Sequence, residues 1–124
     1  MPIAWEILAE ERLVMARADG PVTLQDIIDY LDAVVVGGAQ PYAKLFDAGT
    51  MQLKLSDNEI MELGGRMSAY SSAFAAAGPL AFVASSLATE AFARRFLNVS
   101  SVRRPARLFR TVEKARAWLE TLPR

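Results

Sequence analysis

The stretch Leu80-Ala81-Phe82-Val83-Ala84 is a continuous run of five apolar residues, preceded by Gly78-Pro79 and followed by Ser85-Ser86. A short apolar run between turn residues is typical of a strand that is buried on both faces, which is the mark of a parallel sheet. We therefore expect residues 80–84 to form the most buried strand of the protein, with a parallel neighbour on each side.

Helical patterns lie on both sides of this run. Thr23 begins the first helix, because Asp26 stands at the capping-box spacing and an apolar stripe of helical period runs from Leu24 to Val35. Gly37-Gly38 ends this helix. The pattern predicts an amphipathic helix with one face toward the core.

Three more helices are predicted in the same way. Ser56 begins the second, with Glu59 at the capping-box position, and Gly78-Pro79 ends it. Ser85 and Ser86 precede the third, and Thr111 caps the fourth. We interpret the methionine and aromatic side chains at helical spacing as core residues. The apolar positions are Ile60, Met61, Leu63, Met67, Tyr70 and Phe74 in the second helix and Ala88, Ala91, Phe92 and Phe96 in the third.

Strand patterns fill the remaining segments. Residues 3–9 alternate with a period of two, residues 12–18 are interpreted as a second strand, and the short link between them predicts a hairpin. Residues 42–48 form the next strand, and residues 106–109 form one near a sheet edge, because Arg107 interrupts it. The order ββαβαβαβα predicts an α/β protein with a mixed five-stranded sheet, in which an antiparallel hairpin is followed by parallel strands.

Length and composition restrict the function classes. At 124 residues the chain has room for one domain, residues 1–124. It contains no cysteine and no histidine, which removes the usual nucleophile–base pairs and zinc sites. We therefore expect no enzymatic activity, no metal and no cofactor. We see no signal peptide and no apolar run near the roughly 20 residues that span a bilayer, and so expect a cytoplasmic protein without a transmembrane segment.

The charges are unevenly distributed although the formal net charge is zero. Residues 1–89 carry 5 basic and 11 acidic side chains, whereas residues 90–124 carry 9 basic and 3 acidic ones. Such asymmetry indicates either a surface that binds anions or a partner, or two halves whose charges are simply solvated. A sequence pI near 6.3, and arginines without interleaved aromatic residues, argue against nucleic acid.

The chain resembles the SpoIIAA-like superfamily of small bacterial domains, which includes the STAS and Sec14-related proteins. The resemblance covers nearly the whole chain. Besides the element order, it depends on Gly20-Pro21-Val22-Thr23-Leu24 after the hairpin, on Lys44-Leu45-Phe46-Asp47, and on the ending from Leu108 to Leu119. It implies a right-handed β-α superhelix.

The resemblance also implies a non-catalytic role. STAS domains dock partner proteins or bind nucleotides, and some are switched by phosphorylation of a serine in an Asp-Ser-Ser-Gly motif. This chain has Leu55-Ser56-Asp57-Asn58 at that place, so an aspartate replaces the phosphoacceptor. The Sec14-related proteins imply a lipid-like or other apolar ligand instead.

Ligands of open parallel sheets bind at the carboxyl ends of the strands, where helix N-termini favour anions. Candidate ligand-binding residues at these ends are Asp47, Ser56, Asp57, Ser85, Ser86, Arg110 and Thr111. The same hydroxyls and carboxylates also suit ordinary helix N-caps. The sequence leaves open a protein partner, a small ligand, a lipid-like ligand in an apolar cavity, and a homodimer.

Overall fold

The computed structural model describes residues 2–73, 78–99 and 105–122, with the backbone alone at residues 67–68, 70–73 and 96–99. The elements in chain order are β1 (Ile3–Leu8), β2 (Leu13–Ala18), β3 (Pro21–Val22), α1 (Leu24–Val36), β4 (Ala43–Asp47), β5 (Gln52–Leu53), α2 (Asp57–Ala73), β6 (Leu80–Val83), α3 (Leu87–Val99), β7 (Ala106–Phe109) and α4 (Val112–Glu120).

Five of these strands form one mixed sheet in the order β1-β2-β4-β6-β7. β1 and β2 are antiparallel, and every other pair in this sheet is parallel. β6 lies between two parallel neighbours and all four of its residues are buried. The expectation for the central strand is confirmed, as is the α/β class with its hairpin and parallel strands.

The helices are divided unequally between the two faces of this sheet. The strands from β2 to β7 advance in one direction, so right-handed crossovers place α1, α2 and α3 on the same face. Their core cluster includes Tyr30, Leu63 and Ala93. α4 follows the last strand and packs on the opposite face, where Ala115 and Leu119 are buried.

Aromatic rings fill the space between α1 and the sheet. Trp5 contacts Tyr30 edge-on with ring centroids 5.8 Å apart, and Tyr30 contacts Phe46 in the same way at 5.6 Å. Phe46 stacks on Phe82 at 5.3 Å, which joins β4 to β6. Rings in such geometries add about 0.5–1.5 kcal/mol per pair beyond the burial of their area.

Both predicted capping boxes are present. The hydroxyl of Thr23 accepts from the backbone N–H of Asp26, whose carboxylate accepts from the Thr23 N–H at 2.9 Å. Ser56 and Glu59 make the same reciprocal pair, at 3.2 and 2.9 Å. Local sequence therefore sets where α1 and α2 begin.

The structure departs from the sequence-based expectations in several places. β1, β2 and β4 are each shorter than predicted by one or two residues, and Arg12 lies in the hairpin turn with a φ of +52°. Pro21–Val22 and Gln52–Leu53 form a short parallel pair that the sequence did not predict. Met61 is 57% exposed and is not a core residue.

In α3, Phe92 packs against the core cluster as expected, and Thr89 and Ala93 are buried, whereas Ala88 and Ala91 are exposed. The side chains of the other residues expected in the core of α2 and α3 lie outside the described part of the structure: Met67, Tyr70, Phe74 and Phe96.

Candidate functional site

The loops after β6 and β7 leave the sheet in opposite directions. β6 continues into α3 on one face, and the adjacent strand β7 continues into α4 on the other. In open parallel sheets a crevice forms where neighbouring connections diverge in this way. Four of the predicted site residues follow these two strands: Ser85, Ser86, Arg110 and Thr111.

Two of these four side chains cap the diverging helices. Ser86 Oγ accepts from the backbone N–H of Thr89 at 3.2 Å and lies 2.8 Å from the Thr89 hydroxyl. Thr111 Oγ1 accepts from the N–H of Lys114 at 3.2 Å. Ser86 and Thr111 are exposed, as the adjacent Ser85 is, but their hydroxyls have a structural role in these caps.

Arg110 and Leu87 are the prominent exposed side chains at this edge. The Arg110 side chain is 74% exposed, and its Nη2 lies 3.7 Å from a carboxylate oxygen of Glu90. The other oxygen of Glu90 accepts from Arg94 at 3.0 Å. Leu87, the first residue of α3, is 81% exposed. An apolar side chain and a cation thus flank the point where the loops diverge.

Asp47 belongs to a different cluster, at the carboxyl ends of β2 and β4. Arg17 donates from Nη1 to Asp47 at 2.9 Å and from Nε to Asp19 at 2.9 Å. The second oxygen of Asp47 accepts from the N–H of Gly49, and Asp19 accepts from both the N–H and the hydroxyl of Thr50. The cluster joins the loop after β2 to the loop after β4.

Arg17 shifts the ionisation of its partner. The hydrogen bond from Arg17, followed by those from Thr50, holds the pKa of Asp19 below its usual value. The Arg17 guanidinium in turn has its pKa raised, first by the hydrogen bond to Asp19. Arg17 and Asp19 are exposed, whereas Asp47, whose ion pair with Arg17 joins the two loops, is partly buried. Because two of the three groups are exposed, the ion pairs make no large electrostatic contribution to stability.

Ser56 and Asp57 lie at the beginning of α2, away from the divergence point. Asp57 accepts from Arg95 at 2.8 Å. Arg95 follows Leu87 by eight residues, which corresponds to about 12 Å along a helix. The structure therefore separates Ser56 and Asp57 from Ser85, Ser86, Arg110 and Thr111, with which they were grouped in the prediction.

The carboxylates Asp47 and Glu59 are engaged with different partners. Asp47 is bonded to Arg17, and Glu59 accepts from the backbone N–H of Ser56 at 2.9 Å. Within residues 2–73, 78–99 and 105–122, no three side chains of the metal-ligating types come together. In the same ranges, no helix combines the length and the apolar character required to cross a membrane.

Three residues of these clusters were missed by the sequence analysis: Arg17, Leu87 and Glu90. Arg17 stands two residues before Asp19 on a strand, a spacing that places both side chains on one side of the chain and could have indicated an ion pair. Leu87 lies directly after the capping serine, outside the apolar stripe, and is for that reason a candidate for exposure.

Comparison with known proteins identifies the fold. No protein-family model matches the chain, and no curated protein matches it either. A crystal structure of an uncharacterized DUF3478-family protein from Shewanella loihica PV-4, described as having a SpoIIAA-like fold, is similar with a TM-score of 0.62. The match covers 94% of this chain and 93% of that chain at 19% sequence identity. The chain therefore has the SpoIIAA-like fold that its sequence resemblance implied.

Proposed function

We propose that this domain is a non-catalytic docking module that receives an anionic, partly apolar group of a partner protein where the loops after β6 and β7 diverge. The observation that carries the proposal is the exposed pair of side chains at that place, Leu87 and Arg110. A single exposed leucine is common on protein surfaces. Leu87 is distinguished by its position at the edge where α/β sheets bind their ligands.

The chemistry at this edge suits a carboxylate or a phosphate. Among the described residues, Arg110 pairs with Glu90 at the long distance of 3.7 Å, so its guanidinium can turn toward an incoming anion. The first turns of α3 and α4 start on either side of it, and helix N-termini favour negative charge. Burying Leu87 against a partner would add roughly 1.5–3 kcal/mol. A small anion would contact Arg110 but would not need Leu87. Substitutions at Leu87 therefore distinguish a partner protein from a small anion.

The packing favours docking over the two other functions considered. The ring contacts from Trp5 through Tyr30 and Phe46 to Phe82 occupy the layer between α1 and the sheet, where a lipid-like ligand would otherwise lie. The hydroxyls and carboxylates of the candidate residues are mostly engaged in caps and ion pairs. This supports a role without catalysis. A cytoplasmic location is part of the proposal and is supported by the absence of cysteine.

The test is site-specific photo-crosslinking in the cells that produce the protein. A photoreactive amino acid at position 87 should give one discrete adduct of protein size, and Arg110→Glu in the same chain should suppress it. The matched control is position 36, because Val36 is 87% exposed and lies at the last residue of α1. Equal adducts from positions 36 and 87, or none from position 87, would contradict the proposal.

Small anions are tested separately on purified protein. Inorganic phosphate and citrate are titrated into the wild type and into R110E. The chemical shifts of the backbone amides after Ser86 and Thr111 then report binding at the same edge. One outcome would contradict a partner protein and indicate a small ligand instead. In it, the chemical shifts change saturably in the wild type and in Leu87→Asp but not in R110E, and no crosslinked protein is found.

A further inference from the structure

The outer edge of β7 is a second surface whose chemistry indicates a ligand. β7 is the last strand in the sheet order, with β6 on one side and no neighbouring strand on the other within the part of the chain that the structure describes. The carbonyls of Pro105 and Phe109 accept from N–H groups of β6 and its following residue. Because successive residues of a strand bond to opposite sides, the N–H and C=O groups of Ala106 and Leu108 point outward.

The two faces of this edge differ in character. Ala106 and Leu108 pack on the cluster beneath α1–α3 and remain partly exposed. On the α4 face, the Arg107 guanidinium lies 5.6 Å from the centre of the Phe109 ring and 5.9 Å from that of Trp118. These rings hold an exposed cation in a defined position beside the open strand.

Within the described residues, the charged side chains Arg107 and Lys114 on the α4 side of the edge are both positive. Lys114 is exposed one turn before Trp118, so it shares the side of α4 that faces Phe109 and Arg107. Arg116 extends in the other direction, toward Met15 and Glu11 on the β1–β2 side. Helical spacing places Glu113 and Glu120 on the Arg116 side of the helix, away from β7.

We propose that the outer edge of β7 binds an extended acidic segment of a partner protein, which adds to the sheet as a further strand. Its backbone pairs with Ala106 and Leu108, its acidic side chains face Arg107 and Lys114, and its apolar side chains lie beside Ala106 and Leu108 on the other face. Strand addition uses backbone bonds for affinity and alternate side chains for specificity. The segment therefore has a period of two, with acidic and apolar residues alternating.

A peptide suits this edge better than a nucleic acid does. The outward C=O groups of Ala106 and Leu108 need hydrogen-bond donors, whereas the phosphate groups of a nucleic acid offer acceptors only. The site does not include Leu87 or Arg110, so this inference stands apart from the docking module proposed above.

The test uses a short fluorescein-labelled peptide of alternating valine and aspartate, with binding to the full chain followed by fluorescence anisotropy at low salt. We expect R107E to weaken binding about tenfold, as reversal of a steering charge does. The matched control is R12E, since Arg12 is also an exposed arginine over an aromatic ring, Tyr42, at 5.2 Å. R12E and L87D should bind the peptide as the wild type does.

Two further arms test the backbone pairing. Ala106→Pro removes an outward N–H without changing the charge, and proline is tolerated at such edge positions. This substitution should therefore also weaken binding of the peptide. If A106P is poorly folded, a peptide methylated on alternate backbone nitrogens tests the same bonds on the wild type. A block-ordered peptide of the same composition should bind less tightly.

The inference is overturned by any of four results. These are no binding to the wild type, equal losses in R107E and R12E, full binding by the backbone-methylated peptide, and tighter binding of labelled single-stranded RNA than of the acidic peptide.

Discussion

Gly49 packs against the carbonyl oxygen of Ala18 so closely that a β-carbon built on Gly49 would lie 2.7 Å from that oxygen. Gly49 also has a φ of +51°, a conformation that side chains disfavour. The contact brings the loop after β4 against the end of β2, where Arg17 pairs with Asp19 and Asp47.

Gly49→Ala should lower the free energy of unfolding more than Gly38→Ala. Gly38 has a φ of +69° but no atom within 4 Å of a β-carbon, so its substitution costs only backbone strain, about 1–2 kcal/mol. G49A adds an overlap with backbone, which costs about 1–3 kcal/mol more. Urea denaturation of both variants measures the difference, and equal losses would show that the loop moves away freely.

Asp19→Asn should remove an acid-dependent part of the stability. The pKa of Asp19 is lowered in the folded protein, chiefly by the bond from Arg17. A carboxyl of this kind stabilises the fold above its unfolded pKa, about 3.9, and the contribution is lost as pH falls through the lower folded pKa.

The melting temperature of D19N should therefore be below that of the wild type at neutral pH, and the two should converge in acid below the folded pKa of Asp19. Glu10→Gln, in the exposed β1–β2 turn, is the control and should follow the wild type. If the difference in melting temperature between D19N and the wild type stayed constant down to the lowest pH, Asp19 would not act through its charge.

Val83→Asp should leave the protein insoluble. Val83 is 4% exposed and lies between Asp47 and Phe109 in the sheet register. An unpaired charge there costs several kcal/mol, against a total stability of about 5–15 kcal/mol. Leu87→Asp makes the same chemical change at an 81% exposed site and should express in soluble form with an unchanged melting temperature. Soluble, folded V83D would contradict the packing of β6.

Ser86→Ala should cost about 1 kcal/mol of unfolding free energy, as the loss of an N-cap does. Ser85→Ala should cost nearly nothing, because Ser85 is exposed and Ser86 is the residue that caps α3. Chemical denaturation measures both. If the two substitutions cost the same, the cap is not what fixes the beginning of α3.

Ser56 should act as a cap and not as a phosphorylation switch. Its hydroxyl accepts from the N–H of Glu59, so S56A should cost about 1 kcal/mol. Asp57 and Glu59 would repel a phosphate, and Asp57 already supplies a charge that Arg95 binds. Intact mass of protein from its own cells should show no phosphate. A phosphate on Ser56, or a loss of partner binding by S56A at an unchanged melting temperature, would restore the switch.

The sequence by itself determined the order of the four helices and of the five strands of the main sheet, the starts of α1 and α2, and the burial of β6. Each of these depends on signals within one segment. Thr23 with Asp26, and Ser56 with Glu59, are three residues apart, and the run from Leu80 to Ala84 is apolar throughout. Such local signals act within one segment and require no contact with distant parts of the chain.

Tertiary structure alone decided the pairing of β3 with β5 and the separation of the candidate residues into different clusters. Pro21 pairs with Gln52, and Arg17 pairs with Asp47, across 30 or more positions of sequence. Two-residue strands are too short to show a periodicity of their own. Arg110 and Leu87 lie at one edge because β6 and β7 are adjacent and the helices that follow them pack on opposite faces. This arrangement depends on the strand order of the whole sheet.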